Sequence, residues 1–169
     1  MDNIFLIGFM GTGKSTVAKR LSSIYHLEVV EMDELIEKRQ GMKISDIFAK
    51  YGEEYFRKLE TDLLNEIQSK KNVVVSCGGG TPLRNENVEA MKKNGKVVLL
   101  NATAESIFER VKNNHDRPLL ENNKNVDYIR EMLDGRKDKY FAAADFIIET
   151  DNKSKDQICK EIGKSLKLI

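Results

Sequence analysis

Hydrophobic positions fall in short, dense runs: residues 4–7, 27–30, 73–75, 97–100 and 146–148 are largely apolar and rich in Ile, Val and Leu. Runs of that length without polar alternation suit strands buried on both faces, as in a parallel sheet covered by helices. Between them the apolar spacing changes to three and four, so that Val17, Leu21 and Ile24 share one helical face and Phe56, Leu59, Leu63 and Ile67 another. Strand followed by helix, repeated, predicts a three-layer α/β/α fold with a doubly wound, five-stranded parallel sheet.

Two segments break the alternation. Residues 33–70 carry helical pattern only, interrupted at Gly41 and Gly52, which predicts a helical insertion over about residues 33–61 at one end of the sheet. Residues 113–125 are polar and Asn-rich around Arg117, Pro118, Leu119 and Leu120, which predicts a surface loop able to move as a lid. No repeat or linker divides the 169 residues, so one domain is expected, long enough to bury about two-thirds of its unfolded surface without staples.

Charge and cysteine content narrow the partners. Lys and Arg number 28 against 27 Asp and Glu, a formal net charge of +1, which gives no overall attraction to nucleic acid or to an anionic membrane. Any basic site has to be local. Cys77 and Cys159 are the only cysteines, with no CxxC or His-rich companion, which suits free thiols in a reducing compartment better than a disulfide framework or a zinc site. The apolar run at residues 4–7 is far shorter than a signal sequence or a membrane span requires. A cytoplasmic location is expected and, without an evident apolar surface stripe, a monomer.

The strongest local signal follows the first run. Gly8-Phe9-Met10-Gly11-Thr12-Gly13-Lys14-Ser15 matches GxxxxGK[ST], placed between a strand and a helix as a phosphate-binding loop requires. Glycines there let backbone N–H groups turn toward phosphate oxygens, and the following helix adds its positive N-terminal end. Gly11, Thr12, Gly13, Lys14, Ser15 and Thr16 are therefore the expected ATP-binding residues, with Lys14 on the β- and γ-phosphates and the Ser15 hydroxyl on Mg²⁺. The motif names a donor and leaves the acceptor open. A GTPase would carry NKxD and DxxG segments in the matching places, and neither occurs here. An ATP-driven machine would end a strand in paired acids, where this chain has Ser76 and three glycines. A compact small-molecule kinase is left.

Such a kinase needs polar groups that converge opposite the γ-phosphate. The second strand closes on Glu31-Met32-Asp33, which places Asp33 at the carboxyl edge where α/β folds bind ligands; the same residue could equally cap the next helix. Arg57, three residues before Glu60, could hold a carboxylate or form a plain surface ion pair. Arg117 could swing over the triphosphate, and Arg136 stands in a charge-rich helix. Gly78, Gly79 and Gly80 close the third run, where a bare backbone lets something approach closely; the expected visitor is the acceptor substrate.

Together GFMGTGKST, the acidic pair at the second strand, GMKISDIF, FRKLE, VVVSCGGG, RPLL and Arg136 before Tyr140 resemble the shikimate kinases over nearly the whole chain. The resemblance implies transfer of the ATP γ-phosphate to the 3-hydroxyl of shikimate, with Mg²⁺, on the way to chorismate and the aromatic amino acids. It implies catalytic roles for Lys14, Asp33 and the lid arginine Arg117. Arg57 and Arg136 would clamp the shikimate carboxylate beside Gly78, Gly79 and Gly80, with Gly79 touching the ring. Where the family usually has Asp-x-Asp, this chain has Glu31-Met32-Asp33, one methylene longer at the first acid. The late segment TDNKSK lacks the frequent proline, and Lys153 is the expected neighbour of adenine. The alternatives are a related kinase, such as a gluconate kinase, or a nucleotide-binding module without catalysis.

Overall fold

A computed structural model describes residues 2–112 and 125–168 of the chain. The five runs form β1 (Asn3–Ile7), β2 (Glu28–Glu31), β3 (Val73–Ser76), β4 (Gly95–Asn101) and β5 (Phe146–Glu149). All pair in parallel in the order β2-β3-β1-β4-β5. Between them run α1 (Lys14–Tyr25), α2 (Met32–Gln40), α3 (Ile44–Tyr51), α4 (Glu53–Ile67), α5 (Asn85–Asn94), α6 (Ala104–Val111), α7 (Val126–Ala143) and α8 (Lys155–Ser165).

Strand alternation splits the core into two layers. Phe5, Ile7, Val73, Val75, Val97 and Leu99 face one way and pack with buried residues of α2 through α7, such as Ile36, Phe56, Met91 and Ile107. Ile4, Leu6, Val74, Val98 and Leu100 face the other way, against Val17, Ala18 and Leu21 of α1 and Ile158 and Ile162 of α8. This is the expected three-layer fold, with two local differences. Strands β2 and β5 are not buried on both faces, because the strand order puts them at the sheet edges: Ile147 is 46% exposed. Ile24 is 48% exposed and leaves the face it was expected to share; it lies in the last turn of α1, where Tyr25 packs against the layer instead.

The insertion is three helices, and the glycines that break its pattern sit at the breaks. Gly41 and Gly52 hold positive φ of 68° and 87° at the C-terminal ends of α2 and α3, conformations that a side chain would strain. Asn125 caps α7 by accepting from the Tyr128 N–H at 2.8 Å. Arg117 and the rest of the expected lid before Asn125 lie outside the described residues. Among the described residues no helix is long and apolar enough to cross a membrane.

Register explains why one edge of the sheet collects the chemistry. Leu6 pairs with Ser76 and Ser76 with Glu31, so three strands end in line. Two residues beyond that line stand Gly8, Gly78 and Asp33. In an open parallel sheet this carboxyl edge, beside the point where strand order reverses, is where a crevice forms.

Candidate active site

A cleft of about 650 Å³ opens at that edge, lined by the phosphate-loop residues Gly11, Gly13, Lys14, Ser15 and Thr16, by Glu31 and Asp33, and by Gly78 and Gly79. Gly11 and Gly13 hold φ of 83° and 92°, the left-handed turns from which an anion-binding nest is made. Thr12 turns inward: it is buried, and its hydroxyl donates to the Phe9 carbonyl at 2.9 Å, bracing the loop from within. The Lys14 ammonium donates to the carbonyls of Gly8 and Phe9 at 2.9 Å each, so the loop curls around a buried cation instead of displaying an exposed lysine.

Beside the loop, the Ser15 hydroxyl donates to Glu31 Oε2 at 2.8 Å. Glu31 Oε1 is buried and makes no hydrogen bond among the described residues. Two hard oxygen donors with an unsatisfied carboxylate oxygen fit a small divalent cation bound mainly by phosphate and water. The extra methylene of Glu31 costs nothing in reach, since the carboxylate meets Ser15 directly. Among the described residues no group of three or more His, Cys, Asp or Glu forms an all-protein metal cage.

Across the cleft from the phosphate loop, the three glycines are closely approached by side chains of the chain itself. A methyl group built at Gly80 would stand 2.5–2.6 Å from three atoms of the Arg57 guanidinium, and one at Gly79 would be 3.3 Å from Arg136 Nη1. At Gly78 it would meet Glu60 Oε2 at 2.8 Å and Asp33 Oδ1 at 3.0 Å. The visitors that need bare backbone are therefore the charged side chains of the wall itself. Asp33, Arg57 and Arg136 thus approach the glycines from three helices; Asp33, Gly78 and Gly79 line the cleft, whereas Gly80, Arg57 and Arg136 do not.

Each of those side chains is held. Asp33 belongs to the first turn of α2 and does not cap it, since Glu31 occupies the cap position. Arg57 is no surface ion pair: it is 8% exposed, and its Nη1 donates to Glu60 Oε1 at 2.8 Å while Nε and Nη2 reach Glu53 at 3.2 and 3.1 Å. Burial alone would lower its pKa, but Glu60 and Glu53 more than offset that and raise it. Burial pushes the Glu60 carboxyl above the usual carboxylate range, with Arg57 and Thr81 pulling it back. A guanidinium does not give up its proton, so Arg57 stays a cation in this pair. Arg136 lies 5.5 Å above the Phe9 ring and donates to the Tyr140 hydroxyl at 3.3 Å, which itself donates to the Gly79 carbonyl at 2.7 Å. Burial raises the Tyr140 pKa, so the phenol stays a donor.

Two cations that the sequence did not single out complete the nucleotide side. Arg110, in the last turn of α6, donates to the Gly11 carbonyl at 3.0 Å. The Lys155 ammonium, from the first residue of α8, lies against Gly13. Burial first, then Arg110, lowers its pKa. Lys153 instead donates to Glu161 at 2.8 and 3.0 Å and does not line the cleft. The available signal was positional: Lys155 opens the helix after β5, at the same carboxyl edge as the phosphate loop. Cys77 is fully enclosed, and burial drives its thiol pKa upward, so it fills space and is no nucleophile.

Known proteins share this architecture. A family model for shikimate kinase matches residues 10–167. A shikimate kinase of Persephonella marina is 46% identical over 162 residues, 96% of this chain and 97% of the relative. In three dimensions the chain is similar to a shikimate kinase from Acinetobacter baumannii in complex with shikimate, with a TM-score of 0.93 and 35% identity over 99% of this chain and 93% of that one. A gluconokinase from Sinorhizobium meliloti covers 99% of this chain and 92% of its own, with a TM-score of 0.60 and 15% identity, a likeness of fold alone.

Proposed function

The chain belongs to the shikimate kinase family, and from that premise we propose that it transfers the γ-phosphate of ATP to the 3-hydroxyl of shikimate through Lys14, Asp33, Arg57 and Arg136. The observation that carries this reading is the wall at Gly78–Gly80, where two guanidiniums and a carboxylate from separate helices meet across bare backbone. Two cations beside one acid suit an acceptor with both a carboxylate and hydroxyls. Each charge-assisted contact contributes roughly 1.5–3 kcal/mol.

On the nucleotide side, Lys14 exchanges the Gly8 and Phe9 carbonyls for β- and γ-phosphate oxygens, and the nest at Gly11 and Gly13 orients the chain of phosphates. Ser15 and Glu31 would hold the Mg²⁺ that arrives with ATP, which neutralises charge on the transferring group. Arg110 and Lys155 flank the loop and line the same cleft. On the acceptor side, Arg57 and Arg136 grip the shikimate carboxylate and so fix the ring. Asp33 accepts the hydrogen bond of the attacking hydroxyl, orienting it in line with the γ-phosphate and taking its proton as the O–P bond forms. Arg117, outside the described residues, is assigned to the lid on the strength of the family resemblance. Gluconate also offers a carboxylate and hydroxyls, so it is the family membership that favours shikimate as the acceptor, and intact Lys14, Ser15 and Asp33 speak against a module that has lost catalysis. ADP release should depend on shikimate and be negligible with gluconate or a nucleoside monophosphate. Turnover with gluconate and none with shikimate would overturn the proposal.

A further inference from the structure

Beside Arg57 lies a ring of buried polar groups, Glu60, Thr81 and Asn87, none of which lines the cleft. Thr81, in the 3-10 turn Thr81–Leu83 that follows the glycines, donates its hydroxyl to Glu60 Oε2 at 2.8 Å. Its carbonyl accepts from Asn87 Nδ2 at 2.9 Å, and Asn87 Oδ1 accepts from the Thr61 hydroxyl at 2.7 Å. Thr61 adjoins Glu60 in α4, so the circuit closes across α4, the start of α5 and the turn.

Glu60, Thr81 and Asn87 are each 0% exposed. Polar groups so deeply placed cost free energy unless every partner is made, and a well-packed apolar cluster would stabilise the same space at least as well. What the ring provides is geometry. Glu60 has both oxygens committed, one to Thr81 and one to Arg57. The fit beyond it has no slack, because Gly80 already admits the Arg57 guanidinium only by lacking a side chain. A shift of the turn therefore passes through Glu60 into the direction of the Arg57 fork.

We propose that Thr81 and Asn87 are positioning residues for the acceptor site, aiming the Arg57 guanidinium at the substrate carboxylate through Glu60. This rests on the assignment of Arg57 to that carboxylate, and the experiment separates the two. Steady-state constants are measured for Thr81→Val, Thr81→Ser, Asn87→Ala and Arg57→Lys. Thr81→Val keeps the shape and removes the hydroxyl; it should raise the shikimate KM about tenfold, leave the ATP KM unchanged and hold kcat within about twofold. Thr81→Ser should restore the wild-type shikimate KM, and Asn87→Ala should move it in the same direction as Thr81→Val. If Asn87→Ala does not fold, the Thr81 pair decides alone. An unchanged shikimate KM in Thr81→Val, or equal rises for both substrates, would overturn the inference while a raised KM in Arg57→Lys leaves the Arg57 assignment standing. A wild-type shikimate KM in Arg57→Lys would overturn both.

Discussion

The two halves of the cleft are built in opposite ways. The phosphate cradle is one continuous stretch, Gly8 to Ser15, whose backbone does most of the binding and whose lysine is held by carbonyls of the same loop. The acceptor wall is gathered from α2, α4, the end of β3 and α7, and its glycines contribute mainly by lacking side chains, which lets the charged groups in. A phosphate is the same in every nucleotide, so a local, transferable device serves it. A particular acceptor needs charges at particular separations, which only the assembled sheet can set.

That contrast can be broken at graded cost. The largest loss expected on the cradle side is for Lys14→Ala, where kcat should fall about 10²–10³-fold, since one preorganised cation is removed from the transferring group; pre-steady-state turnover with saturating ATP measures it. Next, Gly80→Ala should raise the shikimate KM by at least about tenfold with the ATP KM little changed, because the new methyl group displaces a guanidinium pinned by Glu53 and Glu60. Lys155→Ala should act on the other half, raising the ATP KM about threefold without touching the shikimate KM, as expected for a partly exposed cation beside the loop. Smallest of all, Gly135→Ala lies inside α7 with nothing within 4 Å of the new carbon. Thermal melts should show a gain of about 0.5–1 kcal/mol and assays no change, in contrast to the same substitution at Gly80.

How much was legible in the sequence follows the same division. The cradle could be read residue by residue, because its spacing is fixed by covalent chain geometry. The strands and the breaks at Gly41 and Gly52 were equally local signals. Edge exposure at Ile147 was not, since strand order decides it. On the acceptor side the residue types were visible and their arrangement was not. Arg57 beside Glu60 looks the same in sequence whether the pair is solvated or sealed, and only the packing of α4 against the Thr81 turn seals it. At Gly78–Gly80 a bare backbone invites a close approach, but nothing local says from what, and the approach of Arg57, Arg136 and Asp33 is visible only in the folded chain. The contact of Lys155 with Gly13 spans almost the whole chain and has no local signature, whereas Lys153, expected beside adenine, donates to Glu161.

The separate construction of the two halves is tested most directly at Asp33, which belongs to the acceptor wall yet lies within the same cleft as Lys14. Calorimetric titration of Mg²⁺-ATP into Asp33→Asn should give an affinity within about threefold of wild type, while shikimate-dependent ADP release falls about 10²–10⁴-fold. Loss of nucleotide affinity in step with activity, or turnover left intact, would contradict it.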